Sequence, residues 1–147
     1  LPYEYEWTGH GIEWRMYGVV GLDDLIDAIS KFCGDPRSEH ARYRLMDLRD
    51  AATTEVSDFD LTYLGAFDKV QSFSTPHVRT AFILPEGRFH ALVAKYSAML
   101  AGSTWEACSF SEEGSARAWA EASSRGQSDR KWTPSAPGGA PQTESSR

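Results

Sequence analysis

Cysteine is scarce in this 147-residue chain, which has only Cys33 and Cys108, far apart. Two lone thiols build neither a disulfide framework nor a zinc site, both of which need clustered ligands. They read as two buried thiols in a reducing cytoplasm, with a bridge between them as the alternative. Long apolar runs are also missing. None approaches the ~20 residues of a membrane-spanning helix, and no basic start leads into the short apolar region of a signal peptide. Positive charge is not in excess: 15 Lys and Arg against 21 Asp and Glu leave a formal net charge of -6, scattered in both signs. A nucleic-acid partner, which needs clustered cations, is therefore not expected.

Motifs of catalysis and cofactor binding are absent as well. There is no Gly-x-Gly-x-x-Gly, no Walker pattern and no Gly-x-Ser-x-Gly elbow, since Gly102-Ser103-Thr104 lacks its second glycine. His10, His40, His77 and His90 are not spaced as a metal pair, and Asp47, Asp50, Asp58 and Asp60 do not follow an EF-hand loop. No enzyme activity, cofactor or metal is expected.

What is present is periodicity. A hydrophobic fraction of 41% with 12% aromatics suffices for one packed domain. Tyr3-Glu4-Tyr5-Glu6-Trp7-Thr8 and Ile12-Glu13-Trp14-Arg15-Met16-Tyr17 alternate around Gly9-His10-Gly11, which predicts a hairpin. Gly18 to Gly21 reads as a short connection. Leu22, Leu25, Ile26, Ile29 and Phe32 then mark a helix that Gly34-Asp35-Pro36 ends.

The stretch Tyr43-Arg44-Leu45-Met46-Asp47-Leu48 reads as a central strand, and Asp50 to Val56 as the loop at its carboxyl end. In an open α/β sheet that end is where sites form. Asp47 is either a structural carboxylate satisfied by backbone or arginine donors, or a site carboxylate. Ser57-Asp58-Phe59-Asp60 has the form of an N-cap, opening a helix with Leu64, Phe67 and Val70 at helical spacing, flanked by Phe59, Tyr63 and Phe73. Val78 to Leu84 is a further strand. Phe89, Leu92, Val93, Tyr96, Met99 and Leu100 trace another helix, Trp105 to Phe110 a last strand, and Ser111 to Ala120 a closing helix. Beyond Ser123, Ser, Gly, Pro and Gln dominate. The expected organisation is a folded domain over 1–123 and a disordered tail over 124–147.

This α/β order, a mixed sheet led by an N-terminal hairpin with helices packed on it, resembles the STAS and SpoIIAA-like domains, STAS/SEC14-like proteins included. The resemblance runs from about residue 3 to 122 and is carried by Gly21-Leu22-Asp23-Asp24-Leu25, Asp35-Pro36-Arg37, Tyr43 to Leu48, and Ala116-Arg117-Ala118-Trp119. It implies a regulatory module in which a Ser or Thr opening the helix after the central strand is phosphorylated to control docking. The family pattern Asp-Ser-Ser-Gly-Leu corresponds here to Val56-Ser57-Asp58-Phe59-Asp60-Leu61, which keeps one Ser and the Leu but lacks Ser-Gly. Asp58 and Asp60 flank the hydroxyl and oppose an added phosphate, so a plain cap stands beside the switch as a reading of Ser57.

The expected function is a non-catalytic regulatory or protein-interaction module with its edge at Asp47, Thr53, Thr54, Ser57 and Asp58. The alternative is a small-molecule or lipid-binding domain with an apolar pocket lined by Phe59, Tyr63, Phe89 and Tyr96.

Overall fold

A computed structural model of the chain describes residues 2–129. The alternating aromatic and acidic residues at the start form β1 (Tyr3–Thr8) and β2 (Gly11–Met16), an antiparallel hairpin. Its register sets Tyr5 opposite Trp14 and Trp7 opposite Ile12, so the two expected stripes share one face. Gly11 lets the Tyr43 ring lie against the β2 backbone, since a Cβ there would sit 2.2 Å from Cε1 of Tyr43. That ring is buried and tied through its hydroxyl, which donates to the Thr8 carbonyl at 3.2 Å. Gly11→Ala is expected to cost about 1–3 kcal/mol by overpacking, seen as a lower urea midpoint with an unchanged slope.

The chain then runs through β3 (Gly18–Val20), α1 (Leu22–Cys33), a short 3-10 turn (Pro36–His40) and β4 (Tyr43–Asp47). Next come β5 (Ala51–Thr54), α2 (Asp58–Gln71), β6 (Arg79–Ile83), α3 (His90–Met99), β7 (Glu106–Phe110) and α4 (Glu113–Asp129). The main sheet has the order β1-β2-β4-β6-β7, parallel from β2 onward. The mixed sheet with its leading hairpin is as the sequence predicts, and β4 lies third of five strands.

Three features depart from that reading. The connection Gly18 to Gly21 and the loop Asp50 to Val56 contain strands, and β3 and β5 pair in parallel as a separate ribbon. Both segments leave neighbouring strands at the same edge, so their backbones run side by side and satisfy each other. The Arg37 to Arg42 connection holds the 3-10 turn, begun by Asp35, whose carboxylate accepts from the Arg37 amide at 2.9 Å. Finally, α4 passes the expected boundary at 123 and continues to Asp129. The rest of the predicted tail, 130–147 with Trp132, lies outside the described residues.

The core has two layers. On one face Ile12, Trp14 and Met16 of β2 meet Ile29 and Phe32 of α1, Leu61 and Leu64 of α2, and Val93 and Tyr96 of α3. On the other, Tyr43, Leu45, Ala81 and Ile83 pack against Ala116 and Ala120 of α4. β4 is therefore buried on both sides, all five residues included. Each large apolar side chain fully buried there contributes roughly 1.5–3 kcal/mol. No helix among the described residues is long and apolar enough to cross a membrane.

Candidate functional site

At the carboxyl edge of the sheet, Asp47 ends β4 and bends back onto its own chain. Its carboxylate accepts from the Arg49 amide at 3.0 Å and from the Arg49 guanidinium at 3.0 and 2.7 Å, with Arg15 3.7 Å away. Burial opposes its charged form, but the Arg49 hydrogen bonds and the Arg49 and Arg15 charges prevail, leaving its pKa below the ordinary carboxylate value. Asp47 is a strand-end staple. Arg49 continues to Glu113 at 3.2 Å, which Arg117 meets at 2.8 Å while also binding Glu13 at 2.5 and 2.7 Å. The hydrogen bond from Arg117 holds Glu13 below its ordinary value, against burial, and hydrogen bonds from Arg117 and Arg49 do the same for Glu113.

Because these carboxylates titrate lower when folded, their stabilisation is complete above the unfolded value near ~4. It is lost as the pH falls through the depressed folded values. Unfolding free energy is thus expected to drop below about pH 4, and Arg117→Gln to flatten that drop. Urea melts across acid pH check this.

Beyond Asp47, β5 climbs over the same face as α1–α3. Thr53 is exposed, whereas the half-buried Thr54 donates from Oγ1 to the Val20 carbonyl at 2.7 Å and joins the two ribbon strands. Ser57 is exposed and caps α2. Its Oγ accepts from the Asp60 amide at 3.1 Å, and the Asp60 carboxylate accepts from the Ser57 amide at 2.9 Å. Asp58 is exposed and pairs with Lys95 at 2.9 Å.

The face of α2 turned inward is Leu61, Leu64, Gly65 and Asp68. Gly65 is required there, because a Cβ would lie 2.4 Å from Cβ of Met99 on α3. The other face carries Phe59, Tyr63, Phe67 and Val70, exposed by 79, 49, 36 and 64%, and Phe73, in the turn just past the helix, is exposed by 86%. The sequence-predicted stripe of Leu64, Phe67 and Val70 is thus split between the two faces. Phe59 and Tyr63, expected in a pocket, point to solvent.

Asp68 turns inward because Arg44 is there. Arg44 Nη2 lies 2.9 Å from Asp68 Oδ2 and 3.0 Å from the Tyr96 hydroxyl, and Nε donates to Thr80 Oγ1 at 3.0 Å. The Tyr96 hydroxyl in turn donates to Asp68. Trp105 covers the guanidinium at 4.6 Å. Burial works against the Arg44 charge, but Asp68 holds its pKa above the ordinary value; burial beside Asp68 pushes the Tyr96 phenol up. The cluster is a charged Arg–Asp pair sealed under a neutral phenol.

Above it lies a cavity of about 90 Å³ whose walls are almost wholly apolar, Trp14, Ile29, Met46, Leu61, Phe82 and Val93 among them. Its lining residues with some exposure are Leu25, Leu48, Thr54, Val56, Phe89 and Leu92, so it opens at the carboxyl edge of the sheet.

No protein-family model and no curated protein matches the sequence. Solved structures do match. An uncharacterized DUF3478-family protein from Shewanella loihica PV-4, with a SpoIIAA-like fold, superposes with a TM-score of 0.51 at 11% identity, over 80% of this chain and 91% of that one. The anti-sigma factor antagonist SpoIIAA in its unphosphorylated form gives 0.50 at 13% identity, over 80% and 97%. The fold is SpoIIAA-like. At these identities the likeness is one of backbone architecture.

On this SpoIIAA-like frame the expected residues separate into groups. Thr53, Thr54, Ser57 and Asp58 lie on β5 and at the start of α2, whereas the buried Asp47 carboxylate faces the α4 side of the sheet with Arg49 and Glu13. Of the four pocket residues, Phe89 and Tyr96 line the cavity while Phe59 and Tyr63 belong to the outer stripe. Sequence reasoning missed Arg44, Asp68 and Thr80. The available signal was an arginine inside an otherwise apolar strand, since a buried cation requires an acidic partner. Among the described residues no group of His, Cys, Asp and Glu is arranged to hold a metal ion.

Proposed function

We propose that this protein is a non-catalytic interaction module that engages a partner protein through the outer face of α2, with Ser57 at the edge of the contact. The observation that carries this is the row of four large apolar side chains left in solvent along α2, with Phe73 exposed just beyond its end. A contiguous apolar patch of this kind is unusual on a monomer and is typical of a docking face. Aromatic residues are also the side chains most often found at the energetic centre of an interface. The fold shared with SpoIIAA, an anti-sigma factor antagonist, supports a partner-binding role over catalysis.

The test is affinity capture from the source cell with the wild-type chain and with Phe59→Asp/Phe73→Asp. Both positions are exposed, so the melting temperature is expected to stay within a few degrees. The affinity for the captured partner is expected to fall roughly 30-fold or more. Identical capture by both proteins overturns the reading. In the same reading Ser57 is the control point, because its hydroxyl is exposed beside the stripe. Phosphopeptide mass spectrometry addresses it separately: a Ser57 unmodified under every growth condition removes the control point and leaves the docking face standing.

The cavity favours a second reading, a binding domain for a small apolar molecule or a lipid chain.

A further inference from the structure

This inference rests on the second reading, and it concerns the mouth of the cavity. Two features meet there. Phe89, a lining residue, has φ 70°, a left-handed conformation that a bulky side chain adopts only when its surroundings enforce it. It opens α3 without a side-chain cap. Its neighbour Arg88 lies over the Phe89 ring at 5.9 Å and donates through Nη1 to the Ala51 and Ala52 carbonyls of β5, at 3.3 and 2.6 Å. Arg88 is thus an exposed cation clamped across the opening, bound to neutral oxygens.

At the inner end the polar lining residues, Arg44, Asp68, Thr80 and Tyr96, are already engaged with one another. Asp68 is occupied by Arg44 and Tyr96, and Arg44 by Asp68, Tyr96 and Thr80. A molecule that enters does so apolar end first and leaves its polar group at the rim. The volume, about 90 Å³, is below the ~150 Å³ of an engineered dry cavity that takes up benzene. It accommodates the end of one chain and excludes a two-chain lipid tail.

We infer that the cavity between the sheet and α1–α3 binds the tail of a single-chain anionic amphiphile, a monocarboxylate, with Phe89 as the wall of its mouth and Arg88 receiving the head group. The carboxylate takes up Arg88 donors in the charge-assisted geometry that guanidinium groups favour.

Calorimetric titration of octanoate and of 1-octanol into the full chain tests this. The wild-type protein is expected to bind both, octanoate more tightly. Arg88→Gln, an exposed change, is expected to raise the octanoate Kd about tenfold and leave 1-octanol unaffected. Val93→Phe fills the cavity and is expected to abolish both; Ala51→Leu serves the same purpose at the mouth if that variant does not fold. Silence toward both ligands at millimolar concentration overturns the second reading and the inference with it. Equal affinities for the two, unchanged by Arg88→Gln, overturn the monocarboxylate assignment alone. Binding undiminished in a folded cavity-filled variant, or binding only to phosphatidylglycerol vesicles, also overturns it. The Phe59→Asp/Phe73→Asp protein is expected to bind octanoate normally, which separates this site from the docking face.

Discussion

Asp68→Ala is expected to destabilise the fold by about 3–5 kcal/mol, because it strands a buried cation. Arg44 is buried in a strand covered on both faces, and a guanidinium does not escape by losing its proton. The Tyr96 phenol remains, but as a neutral partner it does not balance the charge. For a domain of this size the loss corresponds to a fall in melting temperature on the order of 10–20 °C, a large share of an ordinary 5–15 kcal/mol of stability.

Urea unfolding of three proteins measures it: Asp68→Ala, Arg44→Met, and the double variant Arg44→Met/Asp68→Leu. Each single change is expected to be severe. The double change is expected to recover most of the loss, since apolar replacement of an entire buried pair is often neutral or stabilising by about 1–4 kcal/mol. A cost below about 1 kcal/mol for Asp68→Ala is what an exposed pair would show, and it would mean that water reaches the cluster.

Trp105→Ala is expected to cost about 3–5 kcal/mol as well, by leaving a large cavity beside that pair. The indole is buried just before β7, stands edge-on to Phe32 at 6.1 Å, and donates from Nε1 to the buried Thr75 carbonyl at 2.5 Å. Its ring also covers the Arg44 guanidinium, so its removal opens the cation to solvent from above. Trp105→Phe keeps a ring but drops the hydrogen bond, and is expected to cost less than the alanine change. Denaturant melts of both variants, alone and combined with Arg44→Met, check the coupling. A double-variant cost equal to the sum of the single costs shows that the indole and the guanidinium do not act together.

Much of the candidate site is legible in the sequence. The cap at Ser57 and the strand ending at Asp47 follow from residues a few positions apart, and both stand where local chemistry puts them. Asp47 takes the backbone and arginine hydrogen bonds that its structural reading calls for from Arg49, only two residues away. The ribbon of β3 and β5 was not legible, since its two segments are too short for a period to show and pair only because neighbouring strands carry them together. The cavity was half legible: Phe89 and Tyr96 line it, while Phe59 and Tyr63 were assigned from the wrong side of α2.

By itself, the sequence determined the hairpin, the chain order of the helices and of the five strands of the main sheet, and the start of α2, all of which depend on local spacings. Only the tertiary structure decided which way α2 turns. That helix carries two stripes at helical spacing, Leu61, Leu64, Gly65 and Asp68 on one side and Phe59, Tyr63, Phe67 and Val70 on the other, and periodicity does not rank them. The choice was made from outside the helix, by a cation in β4 that had to be neutralised and by Met99 of α3, which left room only for a glycine.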